Sequence, residues 1–182
     1  MELTIIIPVY NVENHLSRCL DSIFVGNNID GEFEVIAVDD GSTDNSYGIL
    51  QEYAFRYKQL TIYHQENQGS SVARNKALDV ATGKYIMFVD SDDFVEKDSI
   101  NTILQEAIKT DVDILFYDFN VISEGGVIRS SSCPNFEENE IFTGEEYILR
   151  GSDIGSPWKS LYSRELINDL KLRFYPGIIH QD

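Results

Sequence analysis

"KYIMFVDSDDF" (residues 84–94) is the stretch that decides the fold. Its apolar run, residues 86–89, has the length of a buried strand and leads directly into the carboxylates of Asp90, Asp92 and Asp93. Carboxylates so close together raise one another's pKa and repel unless a cation lies among them. Because the chain already carries a formal net charge of -17, this acidic turn requires a positive partner, either a basic side chain or a metal ion.

Apolar runs of the same kind recur along the first half of the chain and alternate with segments of helical periodicity. Strands are predicted at residues 3–9, 33–40, 60–65 and 85–90, and helices at residues 12–24, 44–57, 69–81 and 96–109. Strands and helices that alternate across short links form crossover units, which predicts an α/β fold with a parallel sheet between two helix layers. Further along, residues 113–123 are predicted as one strand, 124–140 as an irregular segment and 143–150 as a short helix.

Length and composition indicate one ordinary globular domain. The chain has 182 residues, of which 42% are hydrophobic. Its sequence pI of about 4.4 argues against a general nucleic-acid binder, which needs a basic surface. Nothing in the sequence resembles a signal peptide, and no apolar run reaches about 18 residues. The two cysteines, Cys19 and Cys133, do not make a disulfide framework. We therefore expect a reducing, cytoplasmic location and no transmembrane segment in this chain.

A polar loop follows each of the four predicted strands. The loops are "PVYN" (8–11), "VDDGSTD" (38–44), "HQENQG" (64–69) and "DSDD" (90–93). Ligands of an open parallel sheet bind beyond the carboxyl ends of its strands. Four such loops at one edge of the sheet predict a single binding site there.

Each loop allows a functional and a purely structural interpretation. Asp39 and Asp40 could accept hydrogen bonds from a nucleobase or a ribose, or could form a turn and a helix cap. Arg74 could contact a phosphate or a base, or remain a surface arginine. Asp90 and Asp92, in a D-x-D pattern, could bind Mg²⁺ or Mn²⁺ or form a solvated acidic turn. Because the sequence has no glycine-rich phosphate motif, a bound diphosphate would rely on such an ion.

Four motifs together resemble one family of enzymes. "IIIPVYNVENHLSRCLDSI", "VDDGSTD", N-x-G-x-x-x-ARN and "FVDSDD", in this order, resemble the family 2 inverting glycosyltransferases. The resemblance is dense over residues 3–95 and looser over "PWKSLYSRELI" and "LRFYPGIIHQD". It implies a GT-A fold, which is a Rossmann-like, mostly parallel sheet flanked by helices on both faces. It also implies one glycosyltransferase domain over residues 1–182, with a nucleotide-sugar-binding half at 1–95 and an acceptor-side half at 96–182.

The resemblance assigns roles to individual residues. The residues implied to line the nucleobase pocket of the donor are Pro8, Tyr10, Asn11 and Glu13. Asp40, or else Asp39, would accept the uracil N–H, and Arg74 would help to hold the donor. Asp90 would lie near the ribose and the metal, and Asp92 would be the main ligand of Mg²⁺ or Mn²⁺. Asp182 matches the catalytic base, with Gln181 in place of the usual glutamate and with Trp158 and Lys159 matching an earlier segment.

The implied reaction is metal-dependent, inverting transfer of a sugar from a nucleotide-diphosphate donor, expected to be UDP-linked, to an acceptor hydroxyl. The implied acceptors are saccharides or lipid-linked saccharides, in cell-surface polysaccharide or glycolipid synthesis at the inner face of the membrane. Since Asp182 is the last residue, we expect a chain shortened in its acceptor-side half, with peripheral membrane association left to the missing region. A nucleotide-binding fragment without turnover and a nucleotidyltransferase remain as alternatives, although the latter normally has a glycine-rich loop in place of "PVYN".

Overall fold

The computed structural model describes residues 1–123, 126–131, 135–151 and 156–177. The strands are β1 (Leu3–Val9), β2 (Phe33–Asp39), β3 (Leu60–His64), β4 (Tyr85–Phe88), β5 (Ile114–Phe116), β6 (Phe119–Ser123), β7 (Gly126–Ser131) and β8 (Ser160–Ser163). The helices are α1 (Leu16–Phe24), α2 (Ser46–Arg56), α3 (Ser70–Val80), α4 (Ser99–Thr110), α5 (Gly144–Leu149) and α6 (Arg164–Asp169), with a 3₁₀ turn at Pro157–Lys159. In the described parts of the chain, no helix is long and apolar enough to span a membrane.

Six strands form the main sheet in the order β3-β2-β1-β4-β8-β5. The first four are mutually parallel, and β8 runs antiparallel to both of its neighbours, β4 and β5. The prediction of a mostly parallel sheet is therefore confirmed. We call the edge at which β1 to β4 end the carboxyl edge. Because β8 is antiparallel and Leu161 pairs with Met87, the turn that precedes β8 lies at this same edge.

Helices cover both faces of the sheet, as predicted. Helices α1, α2 and α4 pack on one face, and α3 and α6 pack on the other. The central strand β1 shows the reason, since Ile5 and Ile7 point to the first layer and Ile6 points to the second. Each of these side chains is 0% exposed, and burial of one such side chain stabilises a fold by about 1.5–3 kcal/mol.

Pro8 occupies a position in β1 where a proline can be accommodated. The last pair between β1 and β4 is Ile6 with Phe88, whereas β1 continues beside β2 as far as Val9 and Asp39. Pro8 therefore lies beyond the end of the β1–β4 ladder, and its missing N–H removes no ladder hydrogen bond on that side. The last hydrogen bond between these two central strands runs from the Val89 N–H to the Ile6 main-chain oxygen. We call the space beyond it, between the carboxyl ends of β1 and β4, the crevice.

Two predictions about the second half of the chain are wrong. Residues 113–123 form two strands, because β5 belongs to the main sheet whereas β6 pairs with β7 in a separate two-stranded sheet. Part of the segment predicted to be irregular, residues 124–140, is therefore strand β7. A continuous apolar run does not show where a strand changes its partner. In the first half, the helix predicted at 12–24 begins only at Leu16, since residues 13–15 form a turn.

Candidate active site

The crevice between β1 and β4 is the topological switch point of the sheet. Strands β2 and β3 lie on one side of β1, and the chain then crosses to place β4 on the other side. Ligands of open α/β sheets bind at such a point, outside the carboxyl ends of the strands. The loop at residues 8–11 flanks this crevice from β1, and the acidic turn at residues 90–93 flanks it from β4.

The loop after β1 is joined by hydrogen bonds to the loop after β2. Asn11, in the left-handed region with φ +50°, accepts a 2.7 Å bond from the Thr43 N–H through its side-chain oxygen. The Glu13 carboxylate accepts a 2.8 Å bond from the Asn45 N–H. Asn11 and Glu13 thus shape the crevice by holding the two loops together. Tyr10 remains 47% exposed, so it offers an open aromatic surface at the carboxyl edge.

Asp40 secures the loop that leads into α3. Its Oδ1 accepts hydrogen bonds from the Gln65 side chain at 2.7 Å and the Gln68 N–H at 2.9 Å, and its Oδ2 accepts one from the Gly69 N–H at 2.8 Å. A carboxylate offers about four lone-pair positions. The donors in the described part of the chain therefore leave Asp40 one acceptor position, on Oδ2.

Asp39 lies in a different environment from Asp40. Its side chain is fully buried, and its Oδ2 lies 2.7 Å from Nδ1 of His64, with which it is paired in the β2–β3 register. Its Oδ1 is enclosed and has no hydrogen-bond partner in the described part of the chain. The structure therefore makes Asp39 an internal partner of His64, whereas Asp40 lies in the loop beyond the strand.

Arg74 and Asp90 form an ion pair across the end of the crevice. The distance from Arg74 Nη2 to Asp90 Oδ1 is 2.7 Å, and the two side chains are 7% and 27% exposed. The Arg74 guanidinium also lies over the ring of Phe174, at 5.4 Å from its centroid. Part of the positive charge that the acidic turn requires therefore comes from helix α3.

Helix α1 holds the acidic turn from the other side. Arg18 donates a 2.8 Å hydrogen bond to the main-chain oxygen of Asp92, and its guanidinium lies 4.8 Å from the Phe94 ring centroid. The adjacent Cys19 thiol lies 3.7 Å from the main-chain oxygen of Asp90. Burial and the neighbouring carboxylates raise the pKa of Cys19 to about 12, so this thiol is unreactive at neutral pH.

The carboxylates of the turn interact electrostatically with one another. Asp93 is exposed, yet partial desolvation, followed by the charges of Asp92 and Asp90, raises its pKa above the ordinary value, and Arg18 only partly opposes this. The described residues contain no group of three or more His, Cys, Asp or Glu side chains placed to hold a metal ion by themselves. Mg²⁺ and Mn²⁺ commonly bind one or two carboxylates together with substrate phosphates. Asp90 and Asp92 fit an ion of that kind, with a diphosphate as the source of the remaining oxygens.

The 3₁₀ turn before β8 brings Trp158 and Lys159 to the carboxyl edge. The Tyr117 hydroxyl donates a 2.7 Å bond to the main-chain oxygen of Trp158, and the Phe119 ring packs edge-on against the indole at 4.9 Å. Lys159 Nζ lies 5.4 Å from the Phe119 ring centroid. The predicted base Asp182, with Gln181, lies outside the described residues.

The structure thus brings the predicted donor residues and the predicted metal ligands to one edge of the sheet. Sequence reasoning missed Arg18 and Gln65, whose contacts fix the acidic turn and the loop before α3. Asn75 belongs to the N-x-G-x-x-x-ARN motif, but its contact with the segment after α6 was not predicted. A signal for Arg18 did exist, since it lies in the first turn of the helix that follows "PVYN". Gln65 carried no such signal, because the partners of an amide depend on tertiary structure.

Comparisons with known proteins identify the family to which the chain belongs. The model of the family described as "Glycosyl transferase family 2" matches residues 4–171. The uncharacterized glycosyltransferase YibD of Escherichia coli K12 is 33% identical over 187 residues, which cover 100% of this chain and 54% of YibD. A poly(ribitol-phosphate) beta-glucosyltransferase of Bacillus spizizenii is 39% identical over 102 residues, which cover 55% of this chain and 16% of that protein.

A solved structure shows the same architecture. The crystal structure of S. aureus TarS 1-349 in complex with UDP-GlcNAc matches 98% of this chain with a TM-score of 0.81 and 27% sequence identity. The match covers 50% of the TarS chain. This chain therefore spans about half the length of YibD and of the TarS structure.

Proposed function

Because the chain belongs to glycosyl transferase family 2, we propose that it binds a UDP-sugar and transfers the sugar, with inversion, to a hydroxyl of a saccharide. The observation that carries the proposal is the switch-point crevice, where the Arg74–Asp90 pair and the acidic turn face the loop after β1. TarS, which has the same fold, was crystallised with UDP-GlcNAc. The nucleotide-binding half is assigned to residues 1–95, and the acceptor-side half begins at residue 96.

The donor base is assigned to the loops after β1 and β2. Tyr10 stacks on the uracil, and Pro8, Asn11 and Glu13 fix the shape of the pocket. The free acceptor position on Asp40 Oδ2 takes the uracil N–H. Asp39 contributes indirectly, because its bond to His64 fixes the end of β2 just before Asp40.

The donor diphosphate is assigned to the carboxyl edge of the sheet, between the N-terminal ends of α1 and α3. Asp92, together with Asp90, would hold Mg²⁺ or Mn²⁺, which when bound neutralises the diphosphate and stabilises it as a leaving group. Arg74 pairs with Asp90 and holds its carboxylate in place, and adds positive charge beside the phosphates. Arg18 fixes the main chain at Asp92 through a hydrogen bond to its main-chain oxygen.

The transfer step is a single displacement. A carboxylate, assigned to Asp182 from the family resemblance, takes the proton of the acceptor hydroxyl. The acceptor oxygen forms a bond to the anomeric carbon from the face opposite the diphosphate. The bond from that carbon to the diphosphate oxygen breaks, its electron pair leaves with UDP, and the configuration at the anomeric carbon inverts.

The acceptor is assigned by class only. The relative from Bacillus spizizenii is named for glucosyl transfer to poly(ribitol-phosphate), so we propose a cell-surface polymer or its lipid-linked precursor as the acceptor. Such an acceptor would place the protein at the inner face of the cytoplasmic membrane. Since the chain spans about half of YibD and of the TarS structure, activity toward an acceptor is proposed for the whole protein.

Calorimetry tests the proposal directly. UDP, CDP and UTP are titrated into the chain with saturating Mn²⁺ and again with EDTA, and release of UDP from UDP-GlcNAc is measured in parallel. Binding of UDP that requires Mn²⁺ and exceeds that of CDP is expected. Preference for UTP would favour a nucleotidyltransferase, and Mn²⁺-dependent UDP binding with no sugar release would identify a nucleotide-binding unit without turnover. Absence of UDP binding at millimolar concentration would contradict the proposal.

A further inference from the structure

Asn75 joins helix α3 to the segment after α6, residues 171–177, which lies almost a hundred residues later in the chain. Its amide nitrogen donates a 2.8 Å hydrogen bond to the main-chain oxygen of Phe174, and its amide oxygen accepts a 2.9 Å bond from the Phe174 N–H. One side chain thus satisfies both main-chain polar groups of one residue. One turn earlier on α3, the Ser71 hydroxyl donates a 2.9 Å bond to the main-chain oxygen of Tyr175.

These contacts fix the direction of the chain after α6. Phe174 lies beside position 75 of α3, and Tyr175 lies beside position 71, so the chain runs toward the N-terminal end of this helix. Because α3 follows β3, its N-terminal end lies at the carboxyl edge of the sheet. The segment therefore approaches the crevice.

The segment is also attached to α3 by Arg173, whose guanidinium lies 2.9 Å from the carboxylate of Asp79. Within residues 171–177, Phe174 alone is partly buried and the others are exposed. Its ring packs edge-on against Phe88 at 5.3 Å and lies under the guanidinium of Arg74 at 5.4 Å. Arg74 also pairs with Asp90, so consecutive residues of α3 contact the acidic turn and the incoming segment.

We propose that Asn75 is a positioning residue for sugar transfer. It docks the main chain at Phe174 on α3, next to Arg74, and so directs the acceptor-side half of the chain onto the donor. This inference rests on the proposed function, because the donor must occupy the crevice for the docking to matter in catalysis. A merely structural amide would lower stability without affecting how the segment responds to the donor.

The chain offers a matched control for this role. Asn101, on α4, accepts a 3.2 Å bond from the Asp30 N–H and donates a 3.0 Å bond to the Asp30 carboxylate. It therefore also ties a loop down with two hydrogen bonds. That loop precedes β2 and lies at the edge of the sheet opposite the crevice. Asn75→Ala and Asn101→Ala remove the same number of bonds at opposite edges.

The test is hydrogen exchange of the peptide that contains Phe174, measured with and without UDP and Mn²⁺, alongside calorimetry of UDP binding. For Asn75→Ala, exchange at Phe174 should accelerate by about 10- to 30-fold, as expected for two lost hydrogen bonds. UDP affinity should stay within about twofold of the wild type, because no group assigned to the donor is removed. Added UDP and Mn²⁺ should slow exchange in the wild type and in Asn101→Ala, but not in Asn75→Ala.

Two results would overturn the role of Asn75. One is unchanged exchange at Phe174 in Asn75→Ala, and the other is a donor effect on exchange that persists in this variant. A wild-type chain that binds no UDP would contradict the proposed function instead, and exchange without nucleotide would still show whether Asn75 docks the segment. Where UDP release from UDP-GlcNAc is measurable, Asn75→Ala should reduce kcat by at least about tenfold with little change in KM, and Asn101→Ala should not.

Discussion

Replacement of Arg74 by methionine should uncover the repulsion within the acidic turn. Arg74 and Asp90 lie 2.7 Å apart with side chains only 7% and 27% exposed. Removal of one partner of a fully buried pair costs about 3–5 kcal/mol, because the other charge is left without compensation. Since Asp90 keeps some contact with water, we expect Arg74→Met to lower the free energy of unfolding by about 2–3 kcal/mol without metal.

A divalent ion should reverse part of this loss. The ion would take the place of the guanidinium beside Asp90, and a ligand that binds only the folded state stabilises it in proportion to its affinity. We therefore expect saturating Mn²⁺ with UDP to stabilise Arg74→Met more than it stabilises the wild type. UDP affinity should nevertheless fall, because Arg74 no longer adds charge beside the phosphates.

Urea denaturation followed by fluorescence provides the assay. Trp158 is the only tryptophan of the chain, and its packing at the carboxyl edge makes it a reporter of this region. Arg173→Met is a matched control, since the Arg173–Asp79 pair has a similar distance of 2.9 Å but side chains that are 36% and 62% exposed. It should cost less than about 1 kcal/mol. Equal losses for the two variants, or no difference in their response to Mn²⁺ and UDP, would refute the reasoning.

Three further predictions concern the neighbourhood of the site and the sheet. Desolvation and nearby carboxylates raise the pKa of Asp93, so its charged form destabilises the fold. Asp93→Asn should therefore be more stable than the wild type at pH 7 without metal, by less than about 1 kcal/mol. Urea titrations should show that this gain vanishes as the pH falls toward 4. Asp40→Asn alters a carboxylate that accepts hydrogen bonds from two main-chain N–H groups. It should lower the free energy of unfolding by about 1–2 kcal/mol, measured by thermal unfolding, and weaken UDP binding in calorimetry by at least about tenfold. Unchanged UDP affinity would show that Asp40 does not belong to the base pocket. A Cβ at Gly83 would overlap main-chain atoms of Leu3 and Thr4, so Gly83→Ala should lower stability by about 1–3 kcal/mol, and an unchanged melting temperature would show that the backbone can yield there.

The first half of the fold could be predicted because its strands are short, mostly apolar runs, and β1 and β4 are buried along their whole length. Strand β1 is apolar except for Thr4, and all seven of its residues are buried, so its sequence alone identifies it. The second half could not be predicted in this way. Strand β8 has four residues and is recognisable only through its antiparallel pairing with β4 and β5, which is a tertiary property.

The site could be located from the sequence but not resolved into roles. Loops after parallel strands must meet at one edge, and they do. The sequence did not show which polar groups are already hydrogen-bonded. Asn11 and Glu13 hold two loops together through hydrogen bonds, whereas the Tyr10 side chain is exposed. The sequence of this loop does not show which of its side chains are already bonded and which are exposed. The Arg74–Asp90 pair likewise depends on how α3 packs beside β4.

The central claim is that residues 90–93 bind a divalent ion, which in turn holds the donor diphosphate. Diffraction at the manganese absorption edge from crystals grown with UDP and Mn²⁺ tests this claim most directly. The account predicts one anomalous peak in the crevice, in contact with an Asp92 carboxylate oxygen and with oxygens of the UDP diphosphate. Ordered UDP with no anomalous peak beside Asp92 or Asp90 would contradict it.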